Sequence, residues 1–228
     1  MGMIITVGNI KGGVGKTILS LQIALGLAER GQRVVMVDTD PLQTTALNSL
    51  TLRGDRKPAV MAVAYVEPTV LRTQVRHQTT IFDTVVIDVG GKDNPMLTAA
   101  LMITDRLIVP YTPDPYDVWS LDDMSKVLRK IDDLRDPPEV MALLNKVEPG
   151  KPKDRDAAIQ EARNFAPRIR LLETRIGRSD AIKNASAHGL TVTEYPHASS
   201  QARESIAALI DELFPATAQA GALKSAAA

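Results

Sequence analysis

Several features are missing from this sequence of 228 residues. It contains no cysteine, which excludes disulfide bonds, thiolate metal sites and iron–sulfur clusters. Its 27 Lys and Arg residues equal its 27 Asp and Glu residues, so the chain is not globally basic, although a local basic patch is compatible with this balance. The sequence shows neither a run of 18 apolar residues nor a secretory signal pattern, so we expect a cytoplasmic protein without a membrane span.

Short apolar, β-branched runs alternate with amphipathic helical stretches along the chain. This alternation predicts an α/β fold, with a doubly wound, mainly parallel sheet that carries helices on both faces. The strands are predicted at Met3–Val7, Arg33–Val37, Thr84–Asp88, Leu107–Val109, Val140–Leu144 and Ile169–Leu172. The helices are predicted at Lys16–Arg30, Tyr116–Ile131, Asp154–Asn164, Ser179–His188 and Ala202–Phe214.

The domain organisation is predicted from the extent of this pattern. We expect a single α/β domain over residues 1–214, because no linker or internal repeat interrupts the alternation. Residues 215–228 are rich in alanine, and we expect them to form a flexible tail. Residues 51–80 carry no motif that predicts a role.

A glycine-rich loop follows the first predicted strand and precedes the first predicted helix. Residues 9–17 read Asn-Ile-Lys-Gly-Gly-Val-Gly-Lys-Thr. Glycines let the backbone approach phosphate closely, and the helix that follows offers the positive end of its dipole. We expect Lys16 to bridge the β- and γ-phosphates of ATP, and Thr17 to bind Mg²⁺. A chance glycine-rich turn is the alternative, but it does not account for the matching strand and helix.

Two acidic motifs end predicted strands. Asp38-Thr39-Asp40-Pro41 closes the second strand, and Asp88 closes the buried strand Thr84–Asp88. Carboxylates at the carboxyl ends of strands face the ligand crevice of an α/β sheet. A buried aspartate needs a cation or hydrogen bonds, and Mg²⁺ held through water is a natural partner. Capping of a helix before Pro41 is the alternative for Asp40, and the following Gly90-Gly91 is predicted to sense the γ-phosphate.

The loop sequence Lys-Gly-Gly-Val-Gly-Lys-Thr resembles the deviant Walker A loop of the ParA/MinD family of dimeric ATPases. Ile10 replaces the first glycine of the standard motif, and Lys11 is the additional lysine. The resemblance covers residues 3 to about 213 and is strongest to small ParA-type partition ATPases. It implies that ATP drives a sandwich homodimer in which Lys11 reaches the phosphates of the partner. A solvated surface lysine is the alternative.

Further roles are implied by the same resemblance. Asp40 would orient or activate the attacking water, and Asn145 would read the adenine, with a turn at a strand end as the alternative. Residues 110–115 resemble a loop beside the nucleotide and the dimer interface. The implied catalytic residues are Lys11, Lys16 and Asp40, and the implied metal site is formed by Thr17, Asp38 and Asp88. The implied nucleotide-binding residues are Lys11, Gly12, Gly13, Val14, Gly15, Lys16, Thr17, Ile18 and Asn145.

Positive charge is concentrated in one part of the chain. Residues 146–183 hold ten Lys and Arg against six Asp and Glu. Such groups bind DNA phosphates without regard to sequence and in a salt-sensitive way, and the resemblance places nonspecific DNA binding in the C-terminal half. A solvated charged face is the alternative. The candidate DNA-binding residues are Arg168, Arg170, Arg175, Arg178 and Lys183.

The resemblance implies a partition ATPase for plasmid or chromosomal DNA. Its ATP-bound homodimer would bind nucleoid DNA, and a ParB-like or other adaptor would stimulate hydrolysis of ATP to ADP and release the dimer. The alternatives are a ParA-like ATPase that positions a carboxysome, a chemoreceptor cluster or conjugation machinery, and a MinD-like regulator. The tail after Phe214 carries one lysine, Lys224, so we expect nucleoid association and no membrane binding.

Overall fold

A computed structural model describes residues 1–40, 43–90, 95–165 and 168–215. Seven strands form one sheet in the order β3-β2-β4-β1-β5-β6-β7, and every pairing in it is parallel. This confirms the predicted α/β fold. The strands are β1 (Met3–Val7), β2 (Val34–Asp38), β3 (Met61–Ala64), β4 (Thr84–Asp88), β5 (Arg106–Tyr111), β6 (Glu139–Val147) and β7 (Arg170–Gly177).

Helices cover both faces of the sheet. Successive strand residues point to opposite faces, so Ile4 packs in one apolar layer and Ile5 in the other. Helices α3 to α6 pack in the first layer, and α1, α2, α7 and α8 in the second. The helices are α1 (Lys16–Glu29), α2 (Thr45–Arg53), α3 (Pro68–Gln78), α4 (Pro95–Leu101), α5 (Pro115–Asp132), α6 (Pro152–Ala162), α7 (Asp180–Ala187) and α8 (Ser200–Leu213).

The predicted elements are present, but four others were not predicted. These are α2, β3, α3 and α4, between Thr45 and Leu101. Strand β3 lies at the edge of the sheet, and its side chains are partly exposed. It lies within the apolar run of residues 59–66, which was not recognised as a strand. Strand β7 extends to Gly177, beyond the predicted end. Pro41, Gly91 and residues 216–228 lie outside the described residues.

The strand order reverses at β1, with β4 on one side and β5 on the other. In an open parallel sheet, ligands bind outside the carboxyl ends of the strands at such a switch point. The glycine-rich loop leaves β1 at this position. In the part of the chain that the structure describes, none of the helices is both apolar enough and long enough to span a bilayer.

Helix α2, which begins shortly after Asp40, is fixed to the segment between α7 and α8 by a buried arginine. Arg53 is 3% exposed, and it donates to Gly189 O at 2.8 Å and to Pro58 O at 3.0 Å. It also pairs with both carboxylate oxygens of Glu194, at 2.7 and 3.0 Å. A bidentate arginine pair with satisfied donors fixes geometry as well as charge, so it holds α2 in place beside the site.

Replacing Arg53 tests this attachment. Arg53→Met retains apolar volume but leaves Glu194 without its cation and two carbonyl oxygens without a donor. We expect the free energy of unfolding to fall by roughly 2–3 kcal/mol, as measured by urea denaturation. The exposed Arg56 provides a matched control, and Arg56→Met should change stability by less than about 0.5 kcal/mol. Equal, small effects in the two variants would contradict the structural role of Arg53.

Candidate functional site

The backbone between β1 and α1 has the form of an anion cradle. Gly13 and Gly15 have φ angles of +80° and +96°, a region that favours glycine. A Cβ at Gly15 would collide with the Asn145 amide, whereas a Cβ at Gly12 or Gly13 would have no heavy atom within 4 Å. Gly15 also caps the N-terminus of the 14-residue helix α1. An open loop at a helix N-terminus fits a phosphate group.

Two asparagines hold this loop. Asn9 is buried, donates to Pro110 O at 2.8 Å and accepts the Lys11 N–H at 3.0 Å. The Asn145 amide donates to Val14 O at 2.7 Å. In this structure the Asn145 side chain therefore supports the loop, and its role in reading adenine stays a prediction. Sequence reasoning missed Asn9, although it stands at the first position of the motif.

Lys16 lies inside the cradle. Its side chain is 7% exposed, and Nζ donates to Lys11 O at 2.8 Å. Burial lowers the pKa of Lys16, while the charges of Asp88 and Asp40 act in the opposite direction. Because a desolvated ammonium gains from a nearby negative charge, an anion bound in the cradle would stabilise its protonated form.

Asp88 and Asp38 end neighbouring strands, and the register of β4 with β2 places them side by side. Asp88 is 3% exposed and accepts a hydrogen bond from Ser20 Oγ at 3.1 Å. Burial raises the pKa of Asp88 to about 6, and a hydrogen bond from Thr17 acts against this rise. A divalent cation with oxygen ligands would relieve the buried charge, so the donor set fits Mg²⁺.

The described residues contain no group of three acidic or histidine side chains able to hold a metal. Thr17, Asp38 and Asp88 do line one cavity, but they supply only two carboxylates. Mg²⁺ commonly keeps several waters and uses one or two carboxylates together with substrate phosphates. The site therefore fits a metal that arrives with a nucleotide better than a permanently bound ion.

Asp38 has a second structural role. Its Oδ2 accepts the Ala46 N–H at 2.9 Å in the first turn of α2, and its Oδ1 accepts the Asp40 N–H at 3.0 Å. The N-cap residue of α2, Thr44, has φ +40° and makes no side-chain capping bond. Asp38 therefore caps α2 from the neighbouring strand, and the capping alternative raised for Asp40 applies to Asp38. The part of Asp38 in metal binding stays a prediction.

A cavity of about 310 Å³ brings most of the predicted residues together. Asp40 is among them, and its Oδ1 accepts the Gln43 N–H at 3.1 Å. Val14 and Asn145 support the loop from outside this cavity. The predicted residues that line it are Gly12, Gly13, Gly15, Lys16, Thr17, Ile18, Asp38, Asp40, Asp88 and Gly90, and the unpredicted ones are Gln43, Thr45, Val89 and Lys146.

Lys11 lies outside the cradle. Its side chain is 44% exposed, and Nζ is 3.5 Å from an oxygen of Asp117 on α5. The same ammonium lies 6.0 Å from the ring centroid of Tyr116. Lys11 therefore contacts α5 and is not among the residues that line the cavity containing Lys16, and its role towards a partner stays a prediction.

The five basic candidates do not form one patch. Arg168 and Arg170 lie at the start of β7. Arg168 forms a bidentate pair with Asp132, at 2.8 and 3.0 Å, and Arg170 pairs with Glu139 at 3.3 Å. Strand β7 separates this end from Arg178 by roughly 20 Å. Arg168 and Arg170 therefore lie at the opposite end of β7 from Arg178, and the DNA-binding role of the five residues stays a prediction. The exposed basic residues at the loop end are Arg175, Arg178 and Lys183.

The fold and the cradle define a P-loop nucleotide-binding domain. Residues 5–192 match the family model described as CobQ/CobB/MinD/ParA nucleotide binding domain, so the chain belongs to this family. Together with its deviant Walker A loop, this makes the chain an ATPase of the ParA/MinD type, whose ligands are ATP, ADP and Mg²⁺. The expectation drawn from the loop sequence is confirmed at this level.

Named relatives with different cargoes resemble the chain. Maintenance of carboxysome distribution protein A of Halothiobacillus neapolitanus is 27% identical over 212 residues, or 92% of this chain and 96% of that protein. The chromosome-partitioning ATPase Soj of Thermus thermophilus is 29% identical over 160 residues, or 58% and 62% of the two chains. The structure of MinD from Pyrococcus horikoshii with Mg-ADP has a TM-score of 0.72 at 20% identity, covering 94% and 97%, which shows a common fold.

The raised pKa of Asp88 predicts a pH dependence of stability. Between the unfolded pKa of about 4 and the folded pKa of about 6, the folded state binds the proton more tightly, so stability falls as pH rises through this window. For nucleotide-free protein, we expect Asp88 to contribute about 1 kcal/mol more stability at pH 5 than at pH 7.5. Urea denaturation at the two pH values should show this difference in wild type and its loss in Asp88→Asn.

Asp83 provides the control for this measurement. Hydrogen bonds from Arg33 lower the pKa of Asp83, so this carboxyl stays ionised throughout the range from pH 5 to 7.5. Asp83→Asn should therefore retain the pH dependence of the wild type. An Asp88→Asn variant with the wild-type pH dependence would show that Asp88 is already ionised at pH 5.

Proposed function

We propose that this chain is a ParA-type positioning switch. Two copies of the chain form a sandwich homodimer when they bind Mg-ATP, and this dimer binds DNA nonspecifically. An adaptor protein then stimulates ATP hydrolysis, which releases the dimer from the DNA. The observation that carries this proposal is the placement of Lys11, which lies outside a complete phosphate site and contacts α5. A partly exposed lysine outside the phosphate site of its own chain is available to contact a second subunit.

Within one subunit, the loop binds and orients the nucleotide. Lys16 would contact the β- and γ-phosphates, while Thr17 and Asp88 would hold Mg²⁺, the latter through water. Mg²⁺ held there would supply positive charge to the phosphoryl group during its transfer. The protein contributes N–H groups of the loop and a fixed ammonium, which need no reorganisation at the moment of reaction.

Asp40 is the candidate residue for positioning the attacking water. It lines the cavity and its backbone is fixed by Asp38, so its carboxylate stays at the end of β2 near the phosphate position. A carboxylate there can accept a hydrogen bond from water and direct a lone pair at phosphorus. The backbone N–H of Gln43 donates to Oδ1 of this carboxylate at 3.1 Å, and the residue lines the cavity.

In the dimer, Lys11 would cross to the partner's phosphates. To do so it leaves Asp117, and a partly exposed pair at 3.5 Å is worth about 1 kcal/mol or less. Charge-assisted bonds to phosphate exceed that value, at roughly 1.5–3 kcal/mol. The exchange therefore favours the dimer only when a polyphosphate is present, which makes association depend on ATP.

Dimerisation tests this step directly. At saturating Mg-ATP, Asp40→Ala should bind nucleotide and accumulate as a dimer because hydrolysis is slowed by about a hundredfold or more. Lys11→Ala should bind ATP as a monomer. Light scattering coupled to size exclusion measures both outcomes, and exposed Lys153→Ala, on α6, serves as a control that should dimerise like wild type. A monomeric Asp40→Ala, or a dimeric Lys11→Ala, would contradict the sandwich model.

Nonspecific DNA binding is assigned to the basic residues near the loop end of β7. Arg175 and Arg178 line a cavity of about 590 Å³ together with Arg155 and Lys151. Arg178 is 69% exposed and shares Glu148 with Lys151. Arg178 and Lys151 could leave their shared partner Glu148 and bind DNA phosphates instead. Contacts of this kind are sensitive to salt. Dimerisation would double the number of contacts, so binding would follow the nucleotide state.

The double variant Arg175→Ala, Arg178→Ala tests the DNA step. We expect it to weaken retention on nonspecific duplex DNA at least tenfold with Mg-ATP, and to reduce the salt dependence by about two phosphate contacts per subunit. Its Mg-ATP affinity, measured by calorimetry, should stay within twofold of wild type. Arg170→Gln, at the other end of the strand, is the matched control and should retain wild-type DNA binding; loss there instead would reverse the assignment.

The cargo separates two versions of the proposal. A DNA partition complex is the first candidate, because the loop and the late segments resemble partition ATPases. A protein cargo is the second, and it is supported by the similarity to the carboxysome distribution protein over nearly the full length of both chains. Stimulation of the ATPase by a purified DNA-bound ParB-like adaptor would favour the first. Stimulation by an adaptor of a protein compartment, without specific DNA, would favour the second.

A further inference from the structure

Lys146 lies in an irregular part of β6 and has a left-handed backbone, with φ +56°. Leu144 lies opposite Arg175 on β7. The next paired residue of β6, Val147, lies opposite Gly177, so two residues of β6 face one residue of β7. This arrangement is a β-bulge, which can re-aim a side chain and is frequent beside functional sites. Positive φ is uncommon for lysine, so the surrounding structure must stabilise this backbone conformation.

The bulge brings two consecutive side chains to the phosphate loop. In a regular strand, neighbouring side chains point to opposite faces of the sheet. Here Asn145 donates to Val14 O at 2.7 Å, and the ammonium of Lys146 donates to Gly13 O at 2.5 Å. In a regular β6, only one of these two side chains would point towards the phosphate loop. The irregular backbone lets both Asn145 and Lys146 reach it.

The position of Lys146 relates it to the ligand cavity. Lys146 lines the 310 Å³ cavity together with Lys16 and Thr17, and it also lines the adjoining cavity of about 580 Å³. Its Cε lies 3.8 Å from the position of a Cβ on Gly15, so the side chain runs along the loop. Among the residues that the structure describes, no carboxylate is within ion-pair distance of its ammonium.

We propose that Lys146 is a phosphate-binding residue of this site, provided by the same subunit as Lys16. Its ammonium has three N–H donors, of which Gly13 O uses one. A hydrogen bond from this ammonium to a charged phosphate oxygen would be stronger than its present bond to a neutral carbonyl oxygen. The ligand is the polyphosphate of a nucleoside di- or triphosphate, and the base takes no part in this contact. The inference rests on ATP as the ligand in the proposed function.

Three variants and three nucleotides test the assignment. Lys146→Met retains the aliphatic length and removes the charge, Lys146→Arg retains the charge, and Lys153→Met is the control. Lys153 is exposed on α6 and is not among the residues that line either cavity. Affinities for Mg-ATP, Mg-ADP and AMP are measured by calorimetry or by displacement of a fluorescent nucleotide.

We expect Lys146→Met to weaken Mg-ATP and Mg-ADP about tenfold and AMP less than twofold. Lys146→Arg should stay within about threefold of wild type for all three nucleotides, and Lys153→Met should resemble wild type. Unchanged affinity of Lys146→Met for Mg-ATP would overturn the inference. An equal loss for AMP would also overturn it, since that result assigns Lys146 to bracing the loop.

The proposed function can fail separately from this inference. A wild-type protein that binds Mg-ATP, shows the selective loss on Lys146→Met and yet neither dimerises nor retains DNA would refute the positioning switch. The same result would support Lys146 as a phosphate-binding residue. A wild type that dimerises with Mg-ATP, together with a Lys146→Met variant of unchanged affinity, would do the reverse.

Discussion

The nucleotide site depends on side chains that bind the carbonyl oxygens of the phosphate loop. Asn145 and Lys146, both from β6, hold the oxygens of Val14 and Gly13. In a planar peptide the C=O and the next N–H point in opposite directions, so each of these bonds turns an N–H group of the following residue away from β6. Glycine makes the left-handed turns possible, but the long-range contacts select one loop shape among those that glycine allows.

The same site concentrates charges that folding alone leaves poorly compensated. The parallel register places Asp38 beside Asp88, and burial raises the pKa of both carboxyls, while it lowers the pKa of Lys16. A nucleotide with Mg²⁺ supplies the missing charges of both signs. Binding therefore stabilises a region that is electrostatically costly without a ligand. Asp38 also caps α2, so this helix is bonded directly to a residue of the phosphate site. Arg53 attaches the same helix to the segment before α8.

Sequence reasoning succeeded where a short motif fixes local geometry. The central strands, the phosphate loop and the aspartates at strand ends follow from buried apolar runs, glycines with positive φ and the rule for parallel sheets. It failed for α2, whose apolar pattern is weak, and for the short edge strand β3, where the apolar run of residues 59–66 was overlooked. It also grouped Arg168 with Arg178, because proximity along the chain does not report which end of a strand a residue occupies. Lys146 was missed since a bulge in a parallel pair has no signature in one sequence.

A nucleotide switch needs two states of similar free energy, so that one ligand can change their order. The Lys11–Asp117 contact suits this requirement, because the two groups are 3.5 Å apart and Lys11 is 44% exposed, so that water weakens the attraction. Asp117 also accepts a hydrogen bond from the Thr112 hydroxyl at 2.7 Å. This carboxylate therefore keeps a donor when Lys11 leaves. Lys16, in contrast, is buried within the loop. The two lysines of the motif thus divide the work, one holding the ligand in place and the other responding to it.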